Sequence, residues 1–366
     1  MTITKKLAAA AVAASLAGFA LTASAQAPAG YPATYQKIID AAKKEGKLVI
    51  YGATDSKAAQ PLIKDFNNLY AGITVEYNDM NSTEVYNRFI SESAAGGTTA
   101  DVLWSSAMDL QMKLASEGYA MAYKSVEAPK LPGWAVWKDM AYGTTFEPIT
   151  FVYNKRLVTA AEVPQTHADF VKLVTSDKFR DKVTTYDIEK SGVGFLFMAQ
   201  DSQDLPQFPA LLNSLGAAKV RVQSSTGTML ERISSGENLI GYNIIGSYAL
   251  VRAKTDPSLG VVLPKDYTLV MSRVQFINKN AKNANAAKLW MDYLLSARGQ
   301  TIIANESKLF AIRGDVKGET TSAELIHQIG AEKMRPLPVD PSLLQYLAPA
   351  KRMAFLKQWK ETAGKK

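Results

Sequence analysis

Short apolar runs bounded by polar turns alternate along this chain with stretches whose apolar residues recur at helical spacing. Thr34 to Glu45 has the helical period and stops at Gly46, a residue suited to ending a helix. Lys47 to Tyr51 (KLVIY) reads as a strand and Gly52-Ala53-Thr54-Asp55-Ser56 as a polar turn. The next segment puts Ala59, Leu62, Ile63, Phe66 and Leu69 on one face of a helix. The same unit follows twice more. Ile73 to Tyr77, the turn Asn78 to Thr83 and the helix Glu84 to Ser93 form one copy. Asp101 to Trp104, the turn Ser105-Ser106 and the helix Ala107 to Glu117 form the other. Strands alternating with helices at this spacing predict βαβ units and a mainly parallel sheet.

The pattern restarts near Pro148, inside the β-rich stretch Thr144 to Leu157. Lys182 to Tyr186, Ala218 to Gln223 and Leu239 to Asn243 read as strands. Phe195 to Gln200, Met229 to Ser235 and Ser247 to Lys254 read as helices. The turns between them are Asp187 to Gly194 and Ser224 to Gly227. Gly260 to Leu263 and Tyr267 to Ile277 are β-rich, and helices follow at Ala284 to Ser296, Ala297 to Glu306 and toward Trp359. A second α/β unit is thus inserted into the first, as expected for 366 residues, more than one core usually serves.

The turns at the carboxyl ends of the first three strands carry Thr54 and Ser56, Ser82 and Thr83, and Ser105 and Ser106. Ligands of open α/β sheets bind at that edge. Two readings apply: these residues cap helices, or they surround an oxyanion or polar ligand together with free backbone N–H groups.

The amino terminus adds a compartment. Lys5 and Lys6 precede an apolar run from Leu7 to Leu21, and Ala23-Ser24-Ala25 has the small residues of a cleavage site. That run of 15 residues falls short of the ~20 that cross a bilayer, so residues 1–25 read as a secretory signal peptide cleaved near Ala25 or Ala27. The expected location is the periplasm. The chain has no cysteine, so core packing rather than disulfides must hold it, and thiol chemistry is excluded. The net charge of +8 is scattered rather than clustered, which argues against nucleic acid.

Catalytic sets are missing. His167 and His327 are the only histidines, too few for a His-rich metal centre, and a Ser-His-Asp arrangement is not supported. No HExxH, GxSxG or phosphate-loop pattern occurs. No cofactor is called for, and an exported hydrolase or isomerase is the contrasting alternative to a binding protein.

LVIYGATDSKAAQPLIKDF, ITVEYND and ADVLWSSAMDL, in that order after an export signal, resemble extracellular solute-binding proteins of bacterial ABC transporters. FVYNKRLV, SSGENLIGYNIIGSYALVRA and FINKNAKNANAAKLWMDYLLSARGQ agree, and the resemblance is nearest to the ferric-ion-binding-like branch. It implies an α/β, two-lobed type 2 periplasmic-binding fold, each lobe a mainly parallel sheet flanked by helices, with two crossing strands as hinge. Lobe one would comprise residues 28–147 plus 278–366, and lobe two residues 148–277. The ligand would sit in the cleft and be delivered to a permease in the inner membrane, the protein acting as a monomer. Iron-binding members use paired tyrosines shortly after a GE-containing helix end. Counting from Gly236-Glu237 reaches Gly246 and Ser247, with Tyr248 beside them, so the dyad is absent and bare ferric ion is only the alternative cargo.

The ligand contacts that follow are Thr54, Asp55, Ser82, Thr83, Trp104, Ser105 and Ser106 from lobe one, with Ser191, Ser225, Thr226, Asn243, Ser247 and Tyr248 from lobe two. Trp104 reads equally as core. Arg273 interrupts an apolar strand and reads either as a bidentate clamp on a carboxylate or phosphate, or as a solvent-facing position of an alternating strand. Asp55 caps its helix or holds an amino or hydroxyl group. The set predicts a small anionic or zwitterionic polar solute: a phosphonate, a phosphorylated compound or an organic acid.

Overall fold

The computed structural model describes residues 26–97 and 99–364. The expected signal peptide lies outside the described residues. The first unit runs α1 (Tyr35–Glu45), β1 (Lys47–Gly52), α2 (Ser56–Leu69), β2 (Thr74–Asp79), α3 (Ser82–Ala94), β3 (Val102–Ser105) and α4 (Met108–Ser116). After β4 (Val136–Trp137) and β5 (Ala141–Gly143), the chain leaves for the second unit. That unit holds β6 (Glu147–Asn154), α5 (His167–Val174), β7 (Val183–Tyr186), α6 (Gly192–Asp204), α7 (Phe208–Ala217) and β8 (Arg221–Gln223). It continues with α8 (Thr226–Ser235), β9 (Ile240–Ile245), α9 (Gly246–Thr255), β10 (Leu259–Val262) and β11 (Thr268–Met271). The chain returns through β12 (Val274–Ile277), α10 (Ala284–Leu295) and α11 (Ala297–Ile302), then adds α12 (Ser322–Ile329), β13 (Met334–Pro336) and α13 (Pro349–Thr362).

Two sheets result. The first has the order β2-β1-β3-β12-β5-β4, with β2, β1 and β3 parallel and β12 antiparallel to its neighbours. The second has the order β13-β11-β6-β9-β7-β8, with β10 also on β6. In α2 the buried residues are Ala58, Ala59, Leu62, Ile63 and Phe66, the face the periodicity predicts. They pack with Leu48 and Ile50 of β1 and with Trp290 of α10, so the terminal helices complete the first core. The other core is continuous from Phe89 and Met108 of the first unit to Phe151, Phe170 and Phe197 of the second. The two lobes are therefore in contact.

Several boundaries move. Asn81 forms a capping box with Glu84, so α3 starts at Ser82 rather than Glu84. Ser191 accepts from the Gly194 N–H and starts α6 at Gly192 rather than Phe195. The β-rich run Tyr267 to Ile277 is two strands in different sheets. β11 pairs with β6 and β12 with β3, so the return passage is Ser272-Arg273 rather than a point after Ile277. Nor does residue 278 begin an uninterrupted return to the first unit: β13 pairs in parallel with β11, and the Leu337 N–H donates to the Val270 carbonyl at 2.9 Å. The turn Pro341–Tyr346 then packs on α4 of the first unit, and α13 lies against α7 of the second. The chain tail is a strap across both units.

Candidate functional site

Where the lobes meet, a cleft of about 240 Å³ opens. Its first-lobe wall is the ends of β1 and β2 with the turns that follow: Ala53, Asp55, Asp79, Met80, Asn81, Ser82, with Ser106 from the turn after β3. Its second-lobe wall is Tyr186 at the end of β7, Ser191 and Val193 at the start of α6, Ser224 to Gly227 at the start of α8, and Ile245 and Tyr248 around the start of α9. All these elements point their strand carboxyl ends or helix amino ends at one space, as the order of an open α/β sheet requires.

Seven of the fourteen expected contacts line it: Asp55, Ser82, Ser106, Ser191, Ser225, Thr226 and Tyr248. Both readings of the hydroxyls hold at once. Ser225 caps α8 by accepting from the Thr228 N–H at 3.2 Å, yet it also borders the cleft. Ser82 accepts the Val193 N–H at 3.1 Å and Thr83 the Gly192 N–H at 2.9 Å. These two bonds join the amino ends of α3 and α6 across the interlobe contact. Thr83 faces away from the cleft, into a pocket behind it.

The remaining expected contacts serve the framework. Trp104 is fully buried and its indole N–H donates to Thr144 Oγ1 at 2.9 Å, so the core reading is the correct one. Ser105 is buried and accepts from the Ala107 N–H at 3.3 Å. Asn243, at φ 58°, donates to Asp201 at 2.7 Å. Ser247 donates to Glu147.

Arg273 is neither solvent-facing nor an open clamp. It is 0% exposed, and its Nε and Nη2 donate to Glu147 Oε1 and Oε2 at 2.7 and 3.2 Å. Its Nη1 donates to the Ala53 carbonyl and to Thr54 Oγ1, both at 3.1 Å, which accounts for buried Thr54 as well. Burial works against its charge, but the Glu147 carboxylate more than offsets this and its pKa is raised. The guanidinium lies 5.2 Å from the Tyr248 ring centroid, beneath the cleft floor. Glu147 begins β6 and Arg273 ends the return passage, so the pair clamps the two strands that join the lobes.

The electrostatics of the cleft are divided. Asp79 Oδ2 accepts from Ser56 N–H and Oγ–H at 2.7 and 2.9 Å, stabilising the start of α2. Asp55 makes no capping bond, and its carboxyl is raised, first by burial and further by neighbouring Asp79, with Arg273 opposing. Opposite them stands the amino end of α8. Tyr248 accepts from the Asp55 N–H at 3.2 Å, and burial pushes its phenol up to about 12. Tyr186 hydrogen-bonds Thr226, and burial raises its phenol too.

Asp79, Asn81, Tyr186 and Ser224 escape the sequence reading. Lys182 to Tyr186 has the sequence pattern of a strand, and in the fold Tyr186 ends that strand 2% exposed. Only its position at the strand's carboxyl end signals that the ring reaches the cleft. A count from Gly236-Glu237 finds Tyr248 alone, whereas the fold brings a second phenol beside it.

Comparison with known proteins agrees with this architecture. The family model for bacterial extracellular solute-binding proteins matches residues 61–325. No curated protein sequence matches. A substrate-binding protein of an ABC transporter from Agrobacterium tumefaciens is 40% identical, with a TM-score of 0.82 over 87% of this chain and 94% of that one. AfuA from Actinobacillus pleuropneumoniae, a periplasmic binding protein with fructose-6-phosphate bound, is 19% identical, with a TM-score of 0.73 over 87% of this chain and 98% of that one. Iron-bound HitA from Pseudomonas aeruginosa is 16% identical, with a TM-score of 0.68 over 86% and 98%. With two sheets flanked by helices, a type 2 periplasmic-binding fold and a family match over most of its length, this chain belongs to the bacterial extracellular solute-binding proteins.

Proposed function

We propose that this protein is the receptor of an ABC importer in the periplasm and that its cargo is a small zwitterionic solute, with an acidic group at one end and an ammonium or other donor-rich group at the other. The observation that carries this reading is the division of the cleft. Asp55 and Asp79 form one wall; the amino end of α8, with Ser224, Ser225 and Thr226, forms the other. A helix amino end favours an anion through its free N–H groups and dipole. The carboxylates favour a cation. Arg273 is committed to Glu147, so it makes no direct bond to the solute. Closure of the lobes, joined by the Ser82 and Thr83 bonds, encloses the solute. Release would follow when the permease separates them.

Calorimetry with aminoalkyl phosphonates and amino acids, each set against its deaminated monoanion, tests this. Zwitterions should bind at least about tenfold more tightly than the matching monoanions and should be recovered unchanged. Equal affinity for the monoanion would remove Asp55 and Asp79 from the site. A coloured ferric complex lost on Tyr248→Phe would replace the reading with the metal-binding one.

A further inference from the structure

Behind the cleft, on the far side of the Ser82 and Thr83 bonds, lies a second cavity of about 270 Å³. Three helices and the strap form it. Thr83 comes from α3, Asp109 and Leu110 from α4, Phe195 from α6, and Leu347 and Arg352 from the strap. The Gly192–Thr83 bond is its partition from the cleft, where Ser82 and Val193 stand.

Among the described residues, two ionisable groups in this cavity, Asp109 and Arg352, make no ion pair. Asp109 is 2% exposed, and among the described residues its carboxyl accepts from backbone N–H groups alone, that of Leu110 at 2.9 Å and its own. Burying a carboxylate without a cation is costly, and proteins seldom do so without a use. Arg352 makes no ion pair among the described residues; its guanidinium lies over the Phe195 ring, 4.2 Å from the centroid. It is near enough to Asp109 for its charge to oppose the effect of burial there, yet the two do not join in a salt bridge. Lys113 is already paired with Glu117. A carboxyl at the base and a guanidinium at the mouth, with apolar Leu110, Phe195 and Leu347 around them, describe a bifunctional ligand.

We propose that this rear cavity is a second binding site, separate from the cleft, for a small zwitterion with an apolar body, its ammonium on Asp109 and its carboxylate on Arg352. Its walls come from both lobes, so the complete site exists only in the closed arrangement. An occupant therefore favours closure, and by linkage cleft ligand and rear ligand strengthen each other. The inference does not depend on the identity of the cleft cargo.

L-Leucine is the probe, with isocaproate and isoamylamine as controls that each lack one charged end. Calorimetry should show saturable L-leucine binding, at least about tenfold weaker in Arg352→Gln and in Asp109→Asn, and undetectable binding of both controls. Asp55→Asn and Ser225→Ala, which alter only the cleft, should leave L-leucine binding in place. Circular dichroism melts establish that each variant is folded. Absence of saturable binding to the parent protein, or binding insensitive to Arg352→Gln, overturns the proposal. So does binding abolished by Asp55→Asn, which would assign the probe to the cleft.

Discussion

Glu147 and Arg273 meet in a two-pronged ion pair with neither residue exposed, one at the start of the outgoing strand and the other at the end of the return passage. Ser247 and Thr145 also bond Glu147, while Ala53 and Thr54 accept from Arg273. One charge pair thus binds the first-lobe turn, both passages and the start of α9.

Removing one partner strands the other charge in the interior. Glu147→Gln should lower unfolding free energy by about 3–5 kcal/mol, and Arg273→Ala by a similar amount. Urea denaturation measures both. The double variant Glu147→Leu/Arg273→Met should recover a substantial part of the loss. An Arg273→Ala protein of unchanged stability but weakened ligand binding would return Arg273 to the role of direct clamp.

Gly192 sits where the lobes touch. A Cβ there would lie 2.8 Å from Leu110 Cδ1, 3.2 Å from Ala107 Cβ and 3.3 Å from Ser82 Oγ. Alanine requires the end of Leu110 to shift and Ala107 and Ser82 to give by a few tenths of an ångström, but valine forces the lobes apart. Gly192→Val should weaken cleft-ligand binding by about 1–3 kcal/mol, roughly five- to 150-fold in Kd. Small-angle scattering should show no compaction at ligand concentrations that compact the parent.

The raised carboxyl of Asp55 has a pH consequence. Because its pKa lies above the ordinary carboxylate value, Asp55 loses its charge earlier as pH falls. Affinity for a solute with a cationic end should therefore decline on acidification before ordinary carboxyls titrate, and Asp55→Asn should flatten that part of the profile. Calorimetry between pH 7 and about 4 reads the difference.

Burial lifts Asp109 from 3.8 to about 7, with Arg352 opposing and Lys113 also on the cavity wall. Between those values the folded protein holds a proton that the unfolded chain releases, so this group's contribution to stability falls as pH rises. Asp109→Asn should stabilise the protein at pH 8 by on the order of 3 kcal/mol and have little effect near pH 4. Denaturant titrations at the two pH values test the sign.

The strand–turn–helix units and the edge where ligands gather were legible because both follow from local periodicity. Asp55, Ser82 and Ser225 were found for that reason: each stands in a turn at a strand's carboxyl end. Arg273 stood out as an Arg in an apolar strand, but its partner is 126 positions away, and no local pattern announces such a pairing. Tyr186 escapes because it ends a strand, where a residue that reads as sheet also reaches the cleft, and Asp79 because it stands in a turn where only the hydroxyl residues Ser82 and Thr83 read as contacts. Trp104 and Asn243 show the converse. Their positions at strand ends suited a ligand, but the hydrogen bonds to Thr144 and Asp201 turn them inward. The split of Tyr267 to Ile277 between two sheets was hidden for a related reason, since a continuous β run carries no mark of where it changes partners.

The strap gives the molecule a mechanical stop. It is anchored on the second lobe by Phe355, whose ring packs on Phe195 and Phe208, and on the first through the turn Pro341–Tyr346 against α4. Any swing that parts Ser82 from Val193 also draws α4 away from α6 and pulls this strap taut. The lobes can then travel only as far as its slack allows unless Phe355 leaves its seat. In a receptor built this way, the seat of one ring limits the swing of the lobes together with the two crossing strands.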